Sequence, residues 1–222
     1  MKIALINQKT GYVEKINREK YFDRVRRILE NSGANIVIGP ELAISNRQEI
    51  LSLEHFNSFN EGFFPFMRDD QLLIPGTGLV RDSNKRELRN LAPIIRKNRI
   101  SYVNKKTSVV EDKIAEVEGL EYKRGNSSEG VFDYDGRRIA LEICRDHGHM
   151  KLKECGIRDI DLEFILACNL PGVSPEKTVV REGGIVALID GFKPEINVYR
   201  KNFDNFSEIK GKQNKGYLLV SV

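Results

Sequence analysis

The sequence predicts an α/β protein whose core is a parallel sheet covered by helices, and three observations carry that expectation. An apolar strand (Ile3–Ile6), a helix-spaced segment (17–31) and a second apolar strand (Asn35–Gly39) follow one another. Strand–helix–strand order is how parallel sheets are built. Further apolar runs of strand length recur as far as Tyr217–Val222. The composition is that of a globular chain: 222 residues, 40% apolar and 31% charged, with a formal net charge of only +4. That is enough apolar material for a large core and too little net charge for disorder.

Within 17–31, Tyr21, Phe22, Val25, Ile28 and Leu29 stand at helical spacing, Asn17 is placed to cap the start, and Gly33 sits where a helix stops. Pro40 ends the second strand. A polar and aromatic stretch then runs to Met67, and Leu72–Ile74 reads as a strand. Leu88, Leu91, Ala92 and Ile95 have helical spacing around Pro93, so a helix is expected there, weakened by the proline. Ile100–Val103 reads as a strand leading into Lys105 and Lys106. Val131–Tyr134 and Arg138–Ile143 alternate on either side of Asp135-Gly136, the pattern of a β-hairpin. A short helix is expected at Lys151–Gly156 and strands at Leu162–Cys168, Gly184–Ile189 and Tyr217–Val222. No repeat or low-complexity linker divides the chain, so residues 1–222 are read as a single domain.

Several function classes are set aside. No Gly-x-Gly-x-x-Gly follows the first strand, so the dinucleotide fingerprint is missing. No apolar run approaches the roughly 20 residues of a membrane span, and the amino terminus turns polar too soon for a secretory signal. Basic clusters such as Arg24, Arg26 and Arg27 are interleaved with acidic residues and accompany no nucleic-acid reading motif. They are read as solvated faces. Cys144, Cys155 and Cys168 cannot all pair internally and fit no zinc motif, so a reducing cytoplasm is expected. No cofactor, metal, nucleic acid or membrane partner is expected.

Two residues stand where open α/β sheets place ligands, at the carboxyl ends of strands. Glu41 follows Gly39-Pro40, and Cys144 follows Ile139–Ile143. Either alone reads as a structural residue; together they could face one cleft. Gly-Pro-Glu-Leu after an apolar strand, Lys-Lys after Tyr102-Val103-Asn104, and the run from Val131 through Cys144-Arg145-Asp146 resemble the nitrilase superfamily of carbon–nitrogen hydrolases over residues 1 to about 170. The resemblance implies a four-layer αββα sandwich, a Glu-Lys-Cys triad and a small amide-type substrate attacked by cysteine, with dimers common. Carried onto this chain, it makes Cys144 the nucleophile, Glu41 the base and either Lys105 or Lys106 the lysine, with Lys106 preferred because Lys-Thr-Ser-Val is the closer likeness. Glu118 would be a supporting second glutamate, and the Arg145 N–H would help hold an oxyanion. These types suit thioester chemistry: a thiol needs a base, and an oxyanion needs cations or N–H donors.

The chain also departs from that pattern. Glu142 lies two residues before Cys144, so strand alternation puts both on one face. A carboxylate there would oppose thiolate formation unless Lys105, Arg138 or Arg145 neutralised it. Arg145 stands where an aromatic is common, and after Leu170 the likeness fades into a loop at Pro171–Glu182. His147 and His149 are read as polar surface groups. The leading expectation is a thiol-dependent amide hydrolase or acyl transferase, set against two others: a catalytically inactive relative that binds or regulates, and an unrelated redox or structural domain.

Overall fold

The computed structural model of the chain describes residues 1–126 and 129–222. Its elements in chain order are β1 (Lys2–Ile6), α1 (Arg18–Asn31), β2 (Ile36–Ile38), β3 (Leu51–Ser52), α2 (Leu53–Glu61), β4 (Leu72–Ile74), β5 (Gly78–Asp82), β6 (Glu87–Arg96), β7 (Arg99–Asn104), α3 (Val110–Val117) and β8 (Glu121–Tyr122). The second half adds β9 (Val131–Tyr134), β10 (Arg137–Ile143), α4 (Arg145–Gly148), α5 (Lys151–Glu154), β11 (Ile160–Ala167), β12 (Val180–Asp190), β13 (Glu195–Asn202), β14 (Asn205–Glu208), β15 (Lys212–Asn214) and β16 (Tyr217–Ser221).

The strands form two sheets. The first runs β15-β16-β1-β2-β4-β6-β5-β3, with β7 and β8 also pairing to β6; the second runs β14-β13-β12-β11-β10-β9. Parallel pairs occupy both centres: β1–β2 and β2–β4 in the first sheet, β10–β11 and β11–β12 in the second. One apolar cluster joins the two, with Ile3, Leu5, Ile36 and Ile38 from the first sheet meeting Ile139, Leu141, Ile143, Leu162, Phe164 and Leu166 from the second. The sheets therefore pack face to face with helices outside, as expected.

The outer layers differ in depth. Over the first sheet, α1 buries Tyr21, Val25, Ile28 and Leu29 against Ala4, Ile6, Val37 and Leu73. Asn17 caps it, accepting a hydrogen bond from Lys20 N at 3.0 Å. Over the second sheet, α4 and α5 have four residues each, and Leu152 is their main apolar contribution.

The helix expected around Leu88–Ile95 is instead β6. Residues 90–95 are all buried and 91–95 are all apolar, so both faces of the segment read as core and period alone cannot separate helix from strand. Pro93 is accommodated because, on one edge of β6, it falls between the β5 pairing that ends at Leu91 and the β4 pairing at Ile95. The hairpin is as expected: Asp135 and Gly136 both have positive φ, 51° and 68°, the geometry of a type I′ turn.

Phe164 is fully buried between the sheets, whereas Phe203 is 80% exposed. Phe164→Ala should cost about 3–5 kcal/mol in urea unfolding. Phe203→Ala should stay within about 0.5 kcal/mol. Equal effects would contradict the packing described.

Candidate functional site

Three chain turns at strand ends build the site. The first follows β2. Gly39 has no room for a side chain, since a Cβ there would lie 2.2 Å from Tyr21 Oη and 2.8 Å from the Pro75 carbonyl oxygen. The close approach sets the course of Pro40 and Glu41. Thr10 then donates to the Glu41 carbonyl at 2.7 Å, and Leu42, at φ 58°, donates its N–H to Thr77 Oγ1 at 3.0 Å. Glu41 is fully buried.

The second turn follows β7. Val103 faces the inter-sheet core, and a period of two places Lys105 on the same side. The lysine expectation therefore moves by one residue. Lys105, 1% exposed, puts its Nζ 2.8 Å from Glu41 Oε1 and 2.7 Å from Glu111 Oε1. Lys106 points elsewhere: its Nζ donates to the Glu129 carbonyl at 2.9 Å. Its backbone N–H and that of Thr107 are held by the Asp146 carboxylate at 2.6–3.1 Å.

Glu118 is also displaced from its expected role. It caps the end of α3 and pairs with Arg81 in a partly exposed ion pair. Glu111, in the first turn of the same helix, is the second glutamate at the cluster. Its Oε1 accepts from Tyr12 Oη (2.8 Å), Asn90 Nδ2 (3.1 Å) and Lys105, and its Oε2 accepts from Ser108 Oγ at 3.0 Å. Asn90 Nδ2 reaches Glu41 Oε1 as well, at 3.0 Å. A signal for Glu111 was present in Ser108-Val-Val-Glu111, the spacing of a capping box. Asn90 and Tyr12 carried none.

The third turn is a strand-end elbow at Cys144. Cys144 has φ 49° and ψ −103°, a strained backbone for a residue with a side chain. Its N–H still continues the sheet to the Leu166 carbonyl at 2.8 Å, and its sulfur lies 3.7 Å from the Cys168 carbonyl oxygen. Strand alternation stops at this residue, so Cys144 joins the inter-sheet face of Ile139, Leu141 and Ile143. Glu142 stays on the opposite face. The expectation that the two share a face fails because of this one dihedral angle.

Glu142 is buried, and its partner is none of the three expected cations. His147 Nδ1 lies 2.7 Å from Glu142 Oε2 and 3.2 Å from Glu163 Oε1. His147 is thus a fully buried group, not a surface one. Burial alone would lower its pKa, but the two carboxylates raise it to about 9. Arg145, beginning α4, is exposed, and so is His149.

Electrostatically the site is a buried ion triple beside a thiol. Burial would discharge Lys105, but Glu41 and Glu111 hold its pKa well above the usual value. Burial raises the Glu41 pKa, with Lys105 opposing; Glu111, with more donors, stays below its ordinary value through Lys105 despite burial. Burial and then Glu41 push the Cys144 thiol far up. Glu41 spends Oε1 on Lys105 and Asn90, leaving Oε2 with no hydrogen-bond partner among the described residues. A raised carboxylate with a free oxygen beside a neutral thiol can take a proton from it.

No protein-family model and no curated protein matches the chain. Solved structures do. An amidase from Nesterenkonia sp. AN1, in a glutamate-to-glutamine variant bearing acrylamide added at its active-site cysteine, superimposes with a TM-score of 0.70 at 15% identity, covering 100% of this chain and 93% of that one. A cysteine-to-serine variant of the amidase, described as from the nitrilase superfamily, gives 0.69 at 15% identity over 100% and 91%. A cysteine-to-alanine variant in complex with butyramide gives 0.69 at 14% identity over 100% and 90%. The chain has the αββα fold of nitrilase-superfamily amidases.

Proposed function

We propose that this protein is a cysteine-dependent hydrolase of small amides, with Glu41, Lys105 and Cys144 as its triad and Glu111 as the supporting glutamate. The observation that carries the reading is the buried Glu41–Lys105–Glu111 cluster facing an elbow-borne cysteine. The solved amidases with this fold, one carrying an adduct on its active-site cysteine and one binding butyramide, support it.

Glu41 takes the Cys144 proton as sulfur attacks the amide carbonyl. The Lys105 ammonium and the Arg145 N–H stabilise the resulting oxyanion. Glu41, now a carboxylic acid, protonates the departing amine and leaves a Cys144 thioester. It then activates water to release the carboxylic acid, and the thiol is restored. Acyl transfer to another nucleophile follows the same course with water replaced. A cytoplasmic setting and a homo-oligomeric assembly belong to the same proposal.

Butyramide hydrolysis tests the assignment. Cys144→Ala should abolish it, and iodoacetamide should label Cys144 faster than exposed Cys155. Lys105→Met should lower kcat/KM by about 10²–10³-fold, whereas Lys106→Met should change it by less than about tenfold. The reverse ranking would return the role to Lys106. Fast labelling without turnover of any amide tried would favour the non-catalytic relative.

The pH dependence has a definite sign. Attack needs Glu41 ionised, so alkylation of Cys144 should rise with pH through a Glu41 pKa that burial holds above the usual range. Lys105 opposes that rise, so Lys105→Met should move this acid limb to higher pH. A limb that stays put or moves to lower pH would rule out Glu41 as the base.

A further inference from the structure

Behind the elbow, on the face of β10 turned away from the sulfur, lies a polar cluster that amide hydrolysis does not use. Glu142 on β10, Glu163 on β11 and His147 on α4 are at most 2% exposed. Their donor atoms lie within 4.8 Å of one another. The surrounding layer is otherwise apolar, with Ala140, Leu152, Ile165 and Val179 among its members.

Main-chain donors orient both carboxylates. Leu152 N donates to Glu142 Oε1 at 3.4 Å and Val179 N donates to Glu163 Oε2 at 2.9 Å. The remaining oxygens, Glu142 Oε2 and Glu163 Oε1, converge on His147 Nδ1 at 2.7 and 3.2 Å. Glu163 Oε1 is buried and makes no hydrogen bond of acceptable geometry among the described residues. Among those residues no lysine or arginine forms a salt bridge with either carboxylate. An imidazolium would cancel only one of two buried negative charges, and an uncompensated buried charge is expensive.

A divalent cation would cancel both. Two carboxylate oxygens and one ring nitrogen are a donor set for zinc and its neighbours in the first transition row. Tetrahedral bonds of about 2.0–2.2 Å place donors about 3.3–3.6 Å apart, so the nitrogen–oxygen separations of 2.7 and 3.2 Å need to open by less than about 1 Å to admit the ion. The backbone N–H groups on the outer oxygens supply the outer-shell orientation such sites carry. We propose that Glu142, His147 and Glu163 form a structural site for one divalent transition-metal ion, with Zn²⁺ the best fit. The ion takes the place of the Nδ1 proton, which is released to solvent, and ties α4 and the segment before β12 to β10 and β11. The sheet separates it from the sulfur, and no step of the proposed reaction passes through it.

The test uses the full chain, unfolded in denaturant with a chelator and refolded with or without Zn²⁺, because so buried a site loads during folding. The expected result is close to one equivalent of Zn²⁺ after desalting, a higher Tm for the zinc-refolded protein, and an X-ray absorption edge fitted by nitrogen and oxygen ligands alone. Glu163→Gln should lower zinc affinity at least tenfold. Should that variant not fold, the absorption spectrum of the wild-type protein decides. Sub-stoichiometric zinc with an unchanged Tm, or sulfur in the coordination sphere, would overturn the site and leave a proton-sharing Glu–His–Glu network. Amide hydrolysis is read separately, so either proposal can fail alone.

Discussion

Lys105 is the charge on which the site depends. Glu41, Lys105 and Glu111 are each at most 1% exposed, and buried ions persist only when paired and hydrogen-bonded. One ammonium serves two carboxylates, and Asn90 bridges the same two oxygens. Removing the lysine would leave two buried carboxylates in mutual repulsion, a loss on the order of 3–5 kcal/mol. The surrounding structure shows the same dependence. Lys105 N donates to the Asn90 carbonyl, and Tyr122 Oη and Gly125 N donate to the Lys105 carbonyl. Both ends of the residue are therefore fixed, and the lysine cannot swing away to solvent.

The same constraint sets the division of labour between the carboxylates. Glu111 has donors on both oxygens and stays ionised easily; Glu41 has donors on one and is the more basic. Two glutamates of identical chemistry are thus driven to opposite sides of their ordinary pKa, burial raising Glu41 while Lys105 and the additional donors hold Glu111 down. The asymmetry originates in sequence neighbours, since Ser108 lies three residues before Glu111 and no hydroxyl is so placed beside Glu41.

Much of this was legible in the sequence, and the failures share a cause. Strand ends carrying Glu41 and Cys144, the α1 cap at Asn17 and the Asp135-Gly136 turn all depend on local rules. Lys105 against Lys106 depends on which face of β7 meets the core, which Val103 reveals only once the sheets are packed. Glu118 follows from the resemblance only by its place between the lysine and the cysteine, whereas the start of α3 is what carries Glu111 to Lys105. The Leu88–Ile95 segment misled because a strand buried on both faces loses its alternation. Glu142 misled for a different reason. Its relation to Cys144 follows from a positive φ at a non-glycine residue, and side-chain patterns do not report that angle.

That angle also explains why α4 needs polar anchors. A helix of four residues has almost no stability of its own, and α4, with the sequence Arg-Asp-His-Gly, adds no side chain to the apolar layer over the second sheet. Yet α4 starts at the strained elbow and must hold it. Its second residue, Asp146, grips the Lys106 and Thr107 N–H groups on the lysine turn. Its third, His147, grips Glu142 and Glu163 on β10 and β11. The two anchors pull toward different elements, the turn after β7 on one side and β10 and β11 on the other, so they restrain both the position and the rotation of α4. Burial holds the Asp146 carboxyl up to about 6, partly offset by those N–H donors. One anchor is thus an acid whose grip weakens when protonated, and the other is the charge cluster behind the sheet. Where a longer helix would hold the elbow by packing, this chain holds it by charge.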